Sequence, residues 1–266
     1  MNRRIACLLG LLGAYGPVDA SHAAEAVQVG YDLYAAGMNA ARIRVGFHIE
    51  PRGYRANLAY RTTGVVGFFF RGQQQTSVEG EWAADLALPR RFFSEGVSSG
   101  TERLTDIEYN NRTPLVRHLM PPNEIEREVV PPELQANTID TLSAVIGLVR
   151  ASARTGRCEG QARTYDGRRA ATIEVRTVGH EILPDTARSP FSGVALRCDF
   201  ESRMEAGFYH GDTIRKPLAG TIWLAQVVPG APHLPVRLTV ETRWFGAANV
   251  YLTSAAVAAD TRIAAW

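Results

Sequence analysis

Residues 41–50 read ARIRVGFHIE. Ala41, Ile43, Val45, Phe47 and Ile49 are apolar, while Arg42, Arg44, Gly46, His48 and Glu50 are charged, polar or small. Successive side chains of a strand point to opposite faces, so this alternation means a strand with one face covered. The pattern recurs down the chain. Val194, Leu196, Cys198 and Phe200 alternate with Ala195, Arg197, Asp199 and Glu201. Ile173 and Val175 alternate with Glu174 and Arg176, and Val236, Leu238 and Val240 with Arg237, Thr239 and Glu241. Turn chemistry separates these runs at Gly37–Asn39, at Pro51–Gly53 and at Asp166–Gly167, the last with a type I′ signature. About twelve strands are expected, and this density predicts a mainly β fold. The expected form is a highly curved antiparallel sheet or partly closed β-barrel with one amphipathic helix packed on it.

The helix is the segment that breaks the alternation. In PPELQANTIDTLSAVIGLVRASARTG, Ile139, Leu142, Val145, Ile146 and Val149 recur at three and four residues, the spacing of one helical face. Asn137, Thr138 or Asp140 can cap its start and Gly156 its end. Such a stripe needs an apolar partner, and the concave face or open end of the sheet supplies one. The preceding PPNEIEREVVPP is a charged, proline-bounded connector, a seam within one domain.

The first 23 residues carry the marks of a cleaved secretory signal. Arg3 and Arg4 precede a short apolar run, Ile5–Leu12, far below the roughly 20 residues a membrane helix needs. Ser21 and Ala23 suit cleavage after Ala23, and Val18 and Ala20 offer a second site. Residues 24–266 are expected to form a single domain, with no transmembrane span and a periplasmic destination. Two cysteines then remain, Cys158 and Cys198, and an exported chain with two cysteines pairs them as a rule. The rival, a redox pair or metal site, lacks a CxxC motif and a histidine pair at ligand spacing.

The net charge of +2 gives no strong attraction to nucleic acid. All the basic residues but Lys216 are arginine. Genome composition explains that bias, and contact with anionic glycans or lipids is the functional alternative. Nucleophile-elbow, phosphate-loop, dinucleotide and HExxH motifs are missing. His180–Glu181 and His210-Gly211-Asp212 could be acid–base fragments, and read more simply as strand or turn positions. Asp166–Arg169, DGRR, could bind an anion or form a hairpin turn. No catalytic residue, cofactor or metal is expected.

One stretch, TTGVVGFFFRG at 62–72, does not alternate. Val65, Val66, Phe68, Phe69 and Phe70 sit among glycines that disfavour a central strand. We expect a hairpin tip or bend whose aromatics fold over the sheet end, with Trp82, Phe92 and Phe93 as neighbours. Three roles stay open for it: a core plug, the lip of a pocket for an apolar ligand, or a contact with membrane or partner.

With strands and turns in place, the chain resembles the DUF3108 family of exported bacterial proteins. The matching residues begin with Tyr31-Asp32-Leu33-Tyr34, Gly37, Tyr54 and Thr62-Thr63-Gly64. They continue through Leu88-Pro89-Arg90-Arg91-Phe92, Ile107, Tyr109, Pro131-Pro132 and Thr141-Leu142-Ser143. Tyr165-Asp166-Gly167-Arg168, Cys198, Ala206-Gly207, Trp223-Leu224 and Leu234-Pro235-Val236-Arg237 complete the set. The resemblance implies an exported, β-rich envelope protein and supplies no catalytic residues. Two roles follow as expectations: a non-catalytic module that binds an apolar ligand such as a lipid, or a module that engages an envelope protein partner.

Overall fold

The computed structural model describes residues 26–69, 71–212, 215–242 and 246–263. The expected signal segment therefore lies outside the described residues, as does Phe70. Seven strands come first: β1 (Ala26–Ala35), β2 (Met38–Ile49), β3 (Gly53–Thr62), β4 (Gly72–Ala83), β5 (Leu86–Ser98), β6 (Thr101–Asn110) and β7 (Thr113–Met120). Six follow: β8 (Gly160–Tyr165), β9 (Ala170–Leu183), β10 (Gly193–Ala206), β11 (Leu218–Ala225), β12 (Leu234–Glu241) and β13 (Ala247–Ala258). Three short helices punctuate them, α1 (Gly64–Phe69), α2 (Pro132–Gln135) and α3 (Thr141–Thr155).

All thirteen strands form one antiparallel sheet in the order β7-β6-β5-β4-β3-β2-β1-β13-β12-β11-β10-β9-β8. Each strand pairs with its neighbour in sequence except β7 with β8, and β1 pairs with β13 from Ala26↔Ala258 to Ala35↔Ala248. The sheet is thus a meander whose first and last strands are joined in its middle. Its two edges, β7 and β8, come from the centre of the chain. The result is the nearly closed barrel that the alternation predicts.

At the gap between β7 and β8 the β8 edge is met by Ile139, and the charged connector pairs with the segment that follows β10. Ile139 N–H donates to Arg163 O at 3.0 Å, and Tyr165 N–H donates back to Ile139 O at 2.9 Å. Glu128 N–H reaches Phe208 O and His210 N–H reaches Glu126 O. Arg103 grips Glu126 through two hydrogen bonds of 2.8 and 2.9 Å, which hold that carboxyl below its usual range. Buried Arg127 stacks on Tyr209 and donates to Gly207 O. Backbone groups that an open edge would leave unpaired are met here by connector atoms and arginines.

The DGRR turn closes the β8–β9 hairpin and joins the same seam. Only Gly167 of its two central residues has positive φ, so the type I′ assignment is corrected: that turn needs both. Its arginines, Arg169 exposed and Arg168 half-buried, are both engaged in bonds within the protein. Arg169 binds Asp166 at 3.0 and 2.7 Å. Arg168 donates to Met120 O and Pro121 O at the end of β7.

The main apolar core lies inside the curve and joins β1–β5 and β11–β13 to α3. Val194, expected inward, is exposed opposite Ile182, because β10 there runs past the last residue of β11 paired to it. Cys158 follows α3 and is bonded to Cys198, whose side chain is fully buried on β10. This link ties the exit of α3 to the inner wall. It closes a loop that the chain-entropy model values at about 4 kcal/mol. Replacing both cysteines by serine is expected to lower the unfolding free energy by about that amount in urea titrations. An unchanged midpoint and slope would mean the bond does not restrain the unfolded chain.

Candidate functional site

The meander dictates the site. β7 runs parallel to β8, so the chain must return from one end of the barrel to the other between them. It does so on the inside of the sheet, and α3 makes most of the passage. Asp140 caps the helix, accepting from Ser143 N–H at 2.8 Å. Gly156 ends it in the left-handed conformation at φ 67°. Both caps are among those the sequence offers. Its C-terminal end is fastened by an Arg154–Asp85 ion pair and by Arg150 over the Trp82 ring at 4.2 Å.

Between α3 and the inner face lies a cavity of about 230 Å³. Leu142, Val145, Ile146 and Val149 form its helix side. Ile43, Val45, Phe47 and Ile49, the alternating apolar set of residues 41–50, form the opposite wall. Val29, Tyr31, Leu58, Ile222, Leu238 and Val250 complete it from neighbouring strands. Arg237 also borders the cavity, but its pairs in register are Trp223 and Tyr251, and its guanidinium lies over both their rings. Adjacent to inward Leu238, it faces the other side of the sheet. The wall is therefore almost wholly hydrocarbon. Val145 is partly exposed, so the cavity approaches the surface beside it.

Next to the cavity, a buried polar chain anchors α3 to β3. Tyr54 Oη donates to Ser143 Oγ at 2.8 Å, and Ser143 Oγ donates to Asp140 Oδ2 at 2.5 Å. Asp140 and Ser143 are fully buried. Burial pushes the Asp140 carboxyl up to about 6, against the pull of its hydrogen bonds from Ser143. Burial also raises the Tyr54 and Tyr109 phenols.

The residues expected at a pocket lip lie elsewhere. Residues 64–69 are a six-residue helix at the β3–β4 connection, not a strand bend folded over the sheet end. Val65, Phe68 and Phe69 are exposed and Val66 half-buried, and none of them lines the cavity. A core plug is excluded for these four. The expected neighbours are also corrected: Trp82 lies at the far end of β4 from α1, against Tyr54 at 4.7 Å. Phe92 and Phe93 pair with the middle of β4, at Val78 and Ser77. The histidine fragments form no cleft: Glu181 accepts from Trp223 Nε1, and the His210 ring meets Glu124 O.

A family model described as "Protein of unknown function (DUF3108)" matches residues 30–253. The chain belongs to the DUF3108 family. No curated protein matches it. Among solved structures, a β-barrel-like protein of domain of unknown function DUF1849 from Brucella abortus is similar at a TM-score of 0.50 and 14% identity. The match covers 88% of this chain and 98% of the other. That likeness is one of fold. Among the described residues of this DUF3108 protein, no helix is long and apolar enough to cross a membrane. Nor do three His, Cys, Asp or Glu side chains gather as metal ligands there.

Asp140 makes a pH prediction. Its pKa in the folded protein, about 6, stands above the ordinary value of 3.8. Below about pH 4 both states hold the proton and the residue adds no pH dependence. As pH rises from 4 to 6 the unfolded chain ionises this carboxyl while the folded state still holds its proton. Stability falls there by about 3 kcal/mol, a tenfold change in proton affinity being worth about 1.4 kcal/mol. Asp140→Asn keeps an acceptor for Ser143 N–H and removes the ionisation. Unfolding free energies at pH 4.5 and 7.5 should diverge between wild type and variant by about 2 kcal/mol, because part of the loss is already present at pH 4.5. Equal pH dependence in both proteins would rule out a buried ionisation at this cap.

Proposed function

We propose that this DUF3108 protein is an exported, non-catalytic binding module that holds the hydrocarbon part of a lipid between α3 and the inner face of the sheet. The observation that carries the reading is the hydrocarbon-walled cavity of about 230 Å³. An apolar space of about 150 Å³ takes up benzene, and pockets for whole drug-sized ligands start near 300 Å³. The size therefore suits one segment of an acyl chain, with any polar head left outside. Export is supported by the signal-like residues 1–23 and by the Cys158–Cys198 bond, which favours the periplasm over the cytosol. The non-catalytic reading is supported by where the polar groups go: Asp140, Ser143 and Tyr54 bond one another and the helix start, sealed from solvent.

A second role, docking of an envelope protein, draws support from the exposed cross-strand pair Ile182 and Val194 with nearby Val178. Crosslinking in the periplasm that traps one reproducible partner, lost on Ile182→Asp, would favour it.

The lipid reading is tested with parinaric acid, a fluorescent fatty acid, and with Val45→Phe. Wild type should enhance its fluorescence saturably, and the variant, whose added ring occupies the cavity, should bind about tenfold more weakly or worse. Uptake that is absent in wild type, or equal in a folded variant, removes the cavity as a lipid site.

A further inference from the structure

The helix α1 packs in the reverse of the usual sense. A surface helix buries its large apolar residues and shows its polar ones. Here the sheet side is taken by backbone and by Gly67. A Cβ at position 67 would lie 3.0 Å from the Thr62 carbonyl carbon and oxygen, so a larger residue would push against that backbone. The helix is seated by backbone bonds, Thr63 N–H to Ala40 O at 3.0 Å and Gly67 N–H to Thr63 O at 2.9 Å. Gly72 N–H to Thr62 Oγ1 at 2.9 Å fastens its exit. The large side chains are consequently held outward: Val65 is 58% exposed, Phe68 76% and Phe69 69%. The two rings meet edge to face at 5.2 Å. Met38, the first residue of β2, is also exposed. This is a rigidly presented apolar tip.

We infer that α1 is an interfacial anchor, with Phe68 and Phe69 inserting into the surface of a phospholipid bilayer that carries anionic head groups. Charge and size both favour that occupant. Arg61, at the α1 end of β3, and Arg71 flank the helix, and residues 56–78 contain no Asp or Glu. Arg71, directly beyond the described helix, is exposed and makes no ion pair among the described residues. An arginine at the base of an aromatic tip meets phosphate as the rings enter the acyl boundary. A protein partner would need far more surface. Two phenylalanines and a valine offer on the order of 400–600 Å² at most, against about 800 Å² per side in a stable complex. The tip lies outside the cavity lining, so the inference stands independently of the lipid-holding reading.

The test is co-sedimentation with vesicles of phosphatidylcholine and phosphatidylglycerol, using wild type, Phe68→Ser/Phe69→Ser and Arg71→Glu. Because the rings are exposed, thermal melts of the double variant should match wild type. Wild type should bind, the double variant about tenfold or more weakly, and Arg71→Glu should lose most of the advantage of anionic over pure phosphatidylcholine vesicles. No vesicle binding by wild type overturns the inference. Equal binding by the double variant overturns it too. Self-association in sedimentation velocity that Phe68→Ser/Phe69→Ser abolishes, without vesicle binding, would assign the tip to a second copy instead. Parinaric acid uptake, measured in parallel, should be unchanged in the double variant. The cavity variant Val45→Phe should keep vesicle binding, so each reading fails separately.

Discussion

The structure depends on how its lumen is filled. Eight strands make a barrel whose own inward side chains fill it, and sixteen or more leave a channel. Thirteen strands fall between, and their inward residues alone leave space over. Here α3 occupies that space. The rest follows from holding it there. Asp140 caps the helix start from a fully buried position, and Tyr54 on β3 bonds Ser143 so that the cap is itself satisfied. The Cys158–Cys198 bond fixes the other end to the inner wall. Along the cavity side, Leu142, Ile146 and Val149 do not meet the β1–β2 wall everywhere, and the gap is the cavity.

Placing the helix inside also determines where the sheet opens. An up-and-down meander normally closes between its first and last strands. In this chain β1 and β13 pair along their length, so the opening falls between β7 and β8, where the chain dives inward. Two strand edges would then face water. Ile139 answers that liability on β8 with two backbone bonds, and Arg168 meets the carbonyls of Met120 and Pro121 at the end of β7. The arginine richness of the sequence thus has a structural use at this seam. Arg127 and Arg168 cap backbone carbonyls, which the planar guanidinium can do while stacking or bridging.

Much of this was legible in the sequence because it is local. Alternation at 41–50 identified β2 and its covered face, and the same residues prove to be one wall of the cavity. Asp140 and Gly156 were readable as caps because capping involves neighbours in the chain. The connector 121–132 was readable as a seam from its prolines and charges. Other features were not local. The β1–β13 pairing joins residues at opposite ends of the chain, and no alternation encodes it. The cavity was not readable either. Ile43 facing a packed core and Ile43 facing a void have the same neighbours in sequence. The sharpest miss is α1, where a run of Val and Phe among glycines has the composition of buried structure. What decides its exposure is the Gly67 approach to the Thr62 backbone, a contact that turns the small residue inward.

That inversion bears on how the two apolar features relate. A cavity that holds hydrocarbon and an apolar tip held in solvent answer different physical demands. On the proposed reading the first would remove a ligand's hydrocarbon from water, between α3 and the inner wall. The second leaves apolar area in water, at a cost of roughly 1.5–3 kcal/mol of forgone burial for each large side chain. Selection for stability alone would turn Phe68 and Phe69 inward or replace them, since nothing in the packing of β3 and β4 requires them. The forgone burial is recovered only when something apolar covers the tip. A module that takes one acyl segment from a bilayer must first reach that bilayer's surface. On the two readings proposed here, an aromatic tip separate from the cavity would let the protein dock without filling the site that receives the chain.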